Sequence, residues 1–213
     1  MKEIYISFVL ITIFICSMII GYICHNFSNK EKFNFLINFP FEMKSQSNKL
    51  TLIFRITLAF FCGICSIDSL VLFFISSNYL IEKILSLTLI FNSFLLVSLF
   101  IIDMKSYKAH LVSSILFMIF NVISYALLGY FTFRSNFVFY PLWFGIVCFV
   151  VAVILLFIAL LPSLKNWYVL KKDEEGNLSR GKIFPLAFIE WINILFYVLL
   201  FVLAIVNYII FTL

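Results

Sequence analysis

Apolar residues run almost unbroken through Ile4–Cys24, Leu50–Ile75, Tyr79–Ile102, Ala109–Phe131, Phe137–Leu161 and Ile183–Thr212, with short polar segments between them. Each run supplies the roughly 20 residues that a helix rising about 1.5 Å per residue needs to cross a hydrocarbon core about 30 Å thick. Lipid offers backbone amides no water to bond, so segments that cross it must satisfy their own hydrogen bonds as helices. The pattern therefore predicts one all-α domain over residues 1–213, a polytopic transmembrane bundle of about six helices with only loops and short termini outside it. The first run follows Lys2 and has some look of a signal peptide. It is long for such a segment and has no small-residue cleavage motif, so it is read as a helix of the bundle.

Composition excludes a water-soluble alternative. Hydrophobic residues make up 64% of the chain and charged residues 12%, against about a quarter charged in soluble domains. The net charge of +5 is spread through the loops and forms no dense basic face of the kind that binds nucleic acid. Membrane lipids, whose anionic headgroups suit scattered basic loops, are the expected partners. The five cysteines, Cys16, Cys24, Cys62, Cys65 and Cys148, lie in or at the ends of apolar runs and outline no disulfide framework. Cys62 and Cys65 make a C-x-x-C inside the second run, where packing thiols are the simpler reading.

Six crossings place the loops after the first, third and fifth helices on one face. Eleven of the 15 Lys and Arg residues fall there, against Lys2, Lys83 and Arg134 on the other. The positive-inside rule makes the basic face cytoplasmic and both termini external. Two N-x-S sequons, Asn26-Phe27-Ser28 and Asn177-Leu178-Ser179, lie on the same basic face and are candidate glycosylation acceptors, which argues the other way. The long first loop carries Phe39-Pro40-Phe41-Glu42, amphipathic enough to lie along the interface or re-enter it.

Charged groups are costly inside a membrane, which makes them the first place to look for function. Arg55, Asp103, His110 and Glu190 all belong at the basic end of their helices and so to one layer. At about 100° per residue, Ser114 and Asn121 share the azimuth of His110, while Asn193 and Tyr197 follow Glu190 on its own helix face. One reading is structural: Arg55 and Glu190 form a buried ion pair, or snorkel to the headgroups. Another is a lipid headgroup site of Arg55, Asp103, His110, Glu190 and Trp191, with arginine suited to phosphate and histidine to pH tuning. A third uses His110 and Glu190 as an acid/base pair. No catalytic residue is established by motif, since H-E-x-x-H, G-x-S-x-G, Walker and Rossmann patterns are all missing from the sequence. His25 and His110 are the only histidines, so neither a metal site nor haem is expected and no cofactor is called for.

Four places in the chain resemble the DRAM/FRAG/SFK family of six-helix membrane proteins, which includes autophagy modulators and the post-GPI-attachment remodelling factor. They are Asn38-Phe39-Pro40-Phe41 followed by Arg55; Asn92; Lys108-Ala109-His110-Leu111 with the aromatic-rich helix to Tyr125; and Phe188-Ile189-Glu190-Trp191. Phe41-Glu42-Met43-Lys44 stands where the family usually has a Ser-rich stretch. The resemblance implies an endomembrane protein of the Golgi, ER or endolysosome, engaged in GPI-anchor lipid remodelling, phospholipid distribution or autophagy. Two other classes stay open: a lipid-modifying membrane enzyme using His110 and Glu190, and a small-solute transporter. Transport is disfavoured because few glycines lie inside the spans, Gly63, Gly129 and Gly145 among them, and no inverted repeat is visible.

Overall fold

The computed structural model describes residues 2–28, 32–43, 48–75, 80–102, 106–134, 141–160 and 184–212, with side-chain surroundings for all of these except 2–7, 28, 48, 50, 68–75, 82, 159, 204–205 and 207–212. Six α-helices account for nearly all of them: α1 Lys2–Ser28, α2 Asn48–Ile75, α3 Leu80–Ile101, α4 Tyr107–Arg134, α5 Leu142–Leu160 and α6 Pro185–Thr212. A 3-10 turn, Pro40–Met43, lies between α1 and α2. No strand occurs among the described residues.

Helix ends follow local chemistry. Pro185 opens α6, where its missing N–H is no loss and its fixed φ suits the first turn. Pro141 stands just before α5, and its carbonyl accepts the amide of Phe144 at 3.0 Å. The helix therefore starts at Leu142, five residues inside the expected apolar run, and residues 137–140 lie outside the described set. At the other end of the first loop, α1 continues through His25 and Asn26, which sequence patterning assigns to the loop. A helix need not stop where lipid stops, since its backbone bonds are internal to it.

The exterior is apolar on every helix. Phe8, Phe60, Phe94, Val112, Val153 and Leu195 all point outward, Leu195 with 68% of its surface exposed. Polar residues point inward: Ser17, Ser66, Thr88, Asn92, Ser93, His110, Asn121, Thr132, Glu190 and Asn193 are all buried. A soluble bundle has the opposite arrangement, and an exposed apolar belt of this extent belongs against lipid. Phe8–Phe27, Lys83–Ile101, Tyr107–Arg134 and Pro185–Leu203 are each long and apolar enough to cross a membrane. The apolar stretches of α2 and α5, Thr51–Ile67 and Leu142–Ile158, are somewhat shorter.

Consecutive helices from α1 to α5 pack side by side, and α6 closes the bundle against α1, α4 and α5. One core runs through it, with Phe14, Phe54, Phe61, Phe100, Phe117, Phe144 and Tyr197 as its large side chains. The α4–α5 contact depends on two facing glycines. A Cβ on Gly129 would meet the Phe149 ring at 3.0 Å and the Gly145 carbonyl at 3.2 Å, and one on Gly145 would meet Thr132 Cγ2 at 3.0 Å. Backbones approach closely here because neither helix has a side chain in the way, the usual use of small residues between helices in membranes.

Gly145→Leu should therefore push α4 and α5 apart and cost about 1–3 kcal/mol, as overpacking does elsewhere. Gly63→Ala, at a site with no atom within 4 Å of the added carbon, should be tolerated. Thermal unfolding in detergent checks both, and equal behaviour of the two variants would contradict this account of the helix contact.

A buried polar locus under an aromatic plug

His110 on the first turn of α4 and Glu190 on the second turn of α6 meet inside the bundle, with Nε2 2.9 Å from Oε1. The histidine is 0% exposed and the glutamate 2%. Ser114, one turn beyond His110, donates its hydroxyl to the same Oε1 at 2.5 Å and also contacts the His110 carbonyl at 3.0 Å. The stripe of His110 and Ser114 predicted from helical spacing thus faces Glu190. Among the described residues, Glu190 Oε2 has no hydrogen-bond partner and neither imidazole nitrogen makes an aligned hydrogen bond.

A polar seam continues away from this pair along α3, α4 and α6. Asn92 donates to Asn121 Oδ1 at 2.8 Å, and Asn121 donates to the Asn193 carbonyl at 2.9 Å. Asn193 turns back to the Ile189 carbonyl of its own helix, and Tyr125 donates to the Phe196 carbonyl at 2.6 Å. Each bond is worth about 0.6 kcal/mol in membranes, so the seam specifies which helix faces meet more than it supplies stability.

The first loop closes the end of the bundle. Phe39, Phe41, Phe184, Leu186 and Ala187 form a small apolar cluster there. The Phe39 and Phe41 rings stand edge-on to the imidazole of His110, with centroids 5.6 Å and 5.1 Å away. Glu42 turns back to accept the amide of Phe39 at 2.8 Å and the side-chain amide of Asn38 at 3.2 Å. His25, at the end of α1, donates Nδ1–H to the Glu42 carbonyl at 2.7 Å; a carbonyl can only accept, which fixes that tautomer. Trp191 donates its indole N–H to the Asn38 carbonyl at 2.8 Å while packing against Phe33 and Phe35. Of the two readings of this loop, surface or re-entrant, it turns inward: Pro40, Phe41 and Met43 are buried in the bundle as a plug.

Of the residues singled out in sequence, His110 and Glu190 come together directly, and Trp191 joins them by anchoring the plug. Arg55 does not: it is exposed on α2, and the partner of Glu190 is His110 rather than Arg55. The reading of a buried Arg55–Glu190 pair is thereby replaced, because helix spacing fixes the layer of a residue but not its azimuth. Asp103 and Asn177 lie outside the described residues. Asn26 sits in the last turn of α1, where its Oδ1 accepts the Phe33 amide at 2.8 Å. The sequence reading left His25 and Glu42 out of the site. Their only signal was proximity to the Phe39-Pro40-Phe41 motif, since their contacts run through backbone atoms that a side-chain pattern does not reveal.

Trp191→Phe keeps the ring packing and deletes the bond to Asn38. Losing one such bond costs about 1 kcal/mol, so amide exchange at Phe39 and Phe184, whose N–H bonds the Leu36 carbonyl, should rise by roughly fivefold. Exchange within α4 should stay unchanged. Equal exchange in wild type and variant at both amides would mean that the plug is not held from Trp191.

No protein-family model, curated protein or solved structure matches the chain.

Proposed function

We propose that this chain is a multi-pass endomembrane protein of the DRAM/FRAG/SFK type that handles lipid, in GPI-anchor lipid remodelling, phospholipid distribution or autophagy, and that the His110–Glu190 locus is where it engages a headgroup. One observation carries the reading: a carboxylate and an imidazole, both fully enclosed at one end of a lipid-facing bundle, keep polar atoms unbonded beneath the Phe39–Phe41 plug. The large majority of buried side-chain polar atoms have at least one hydrogen-bond partner. The places that carry the family resemblance add support, because Asn38, Phe39, Phe41, His110, Glu190 and Trp191 all contribute to one locus.

Acid/base catalysis by His110 and Glu190 fits the geometry less well. Ser114, the hydroxyl beside them, donates to the carboxylate and not to the imidazole. A serine nucleophile would need its proton directed at a base that is itself oriented by the acid.

Lipid copurification followed by mass spectrometry tests the proposal. His110→Ala and Glu190→Gln should each deplete the bound lipid while leaving detergent monodispersity near wild type. If the pair is only structural, either single change strands its partner at a cost of roughly 3–5 kcal/mol, and misfolding comes first. The double change His110→Leu with Glu190→Leu then restores folding. Recovery of both folding and lipid in that double variant would overturn the headgroup assignment.

A further inference from the structure

A loop that stands in water can leave its backbone to the solvent, whereas one that stands in lipid must satisfy it from within the chain. The segment between α1 and the plug is of the second kind. The amides of Phe33, Asn34 and Leu36 donate to the side-chain oxygens of Asn26, Asn38 and Asn34 at 2.8, 2.9 and 2.9 Å. Those of Ile37 and Asn38 share the Asn34 carbonyl, and that of Phe39 reaches Glu42 Oε2. Carbonyls are engaged as well, Leu36 by the Phe184 amide and Asn38 by the Trp191 indole, each at 2.8 Å. Asn34 and Asn38, the polar side chains of the turn, thus serve its own backbone.

The apolar side chains at the tip of the turn point outward. Phe35 is 43% exposed and Leu36 40%. The Phe35 ring lies parallel to that of Tyr22 on α1, with centroids 6.2 Å apart. Tyr22 continues a stripe of exposed residues with Ile15 and Ile19, one helical face of the lipid-facing belt. The apolar span of α1 runs from Phe8 to Phe27, and Tyr22 lies five residues, roughly 7.5 Å of helix rise, inside its end. Phe35 therefore stands beside the membrane-crossing part of α1 and not beyond it. Lys32, exposed just ahead of the turn, has a stem long enough to carry its charge out to the headgroups from that depth.

We infer that the turn over residues 33–38 is immersed in the membrane, with Phe35 and Leu36 laid against the upper acyl chains of the leaflet nearest the His110–Glu190 locus. A soluble protein partner is the other class of cover for exposed aromatic rings. Lipid is favoured because the patch is continuous with the stripe of Ile15, Ile19 and Tyr22, and because its depth is set by a helix that crosses the bilayer. Trp191 packs edge-on against Phe35 with centroids 4.8 Å apart and bonds the Asn38 carbonyl. One side chain thereby joins a lipid-contacting ring to the plug over His110. The immersion of the turn does not depend on what the locus binds.

The test uses the wild-type chain, one copy per phosphatidylcholine nanodisc, probed from both phases and read by peptide mass spectrometry. A phosphatidylcholine carrying a diazirine near the ester end of one acyl chain generates a carbene in the lipid, and hydroxyl radicals probe from the water. Phe35 and Leu36 should carry carbene adducts. Their oxidation, corrected for intrinsic reactivity, should be as low as that of Phe8 and Phe60, which are exposed on the lipid-facing belt. Oxidation above that level, with or without adducts, places the turn in water, as a surface made for a soluble partner would be, and overturns the inference. Low oxidation without adducts means that the rings are enclosed by the chain itself and overturns it equally.

Discussion

A carboxylate enclosed in an apolar bundle has to be answered from within, and the contact between Glu190 and His110 is the answer on which much of this arrangement depends. Water cannot reach the pair, and the penalty for an isolated ion in such surroundings is several kcal/mol even after relaxation. The pair therefore fixes more than its own distance. It sets the azimuth of α4 relative to α6, and Ser114 secures it from one turn along. Once those faces are set, Asn121 falls opposite Asn193 and brings Asn92 of α3 into line. In a lipid solvent, where apolar packing has little preference among helix faces, such polar matches are what distinguish one bundle from the alternatives.

The same end of the bundle explains why a loop rich in phenylalanine is folded inward. A helix pair that buries charge must keep water from its open end, and two aromatic rings edge-on to an imidazole do this without adding a competing polar group. The plug is held at several points by different helices: His25 from α1, Trp191 from α6, and the Phe184 amide just before α6, which bonds Leu36. Glu42 organises the loop from inside by capping Phe39. Most of these bonds use backbone carbonyls or amides.

How much of this could be read in the sequence follows from what lipid does and does not dictate. Lipid dictates helices, so six apolar runs translate into six helices with little ambiguity. Their ends are set by local features instead, such as Pro141 before α5 and the continuation of α1 through His25. The layer containing His110 and Glu190 was legible because alternating helices bring their starts to one end. Which members of that layer touch was not. Arg55 and His110 are both reasonable partners for Glu190 on charge, and only the rotation of α2, set by Phe54, Leu58 and Phe61 facing the core, turns the arginine outward. The motif Asn38-Phe39-Pro40-Phe41 was conspicuous as sequence, but its inward fold depends on Trp191, more than 150 residues away.

Sequence reasoning favoured a phosphate because arginine and histidine are the usual residues for it. Arg55 is exposed on α2, and within the enclosed locus the group with an open valence is the Glu190 carboxylate. The open oxygen also bears on catalysis. An enclosed glutamate that already holds one imidazole and one hydroxyl on a single oxygen is well placed to orient a donor on the other. It is poorly placed to release either partner during a reaction, because each departure would leave charge uncompensated in surroundings of low dielectric. Recognition asks only that the open oxygen be bonded, a change that lowers the electrostatic cost of the locus rather than raising it.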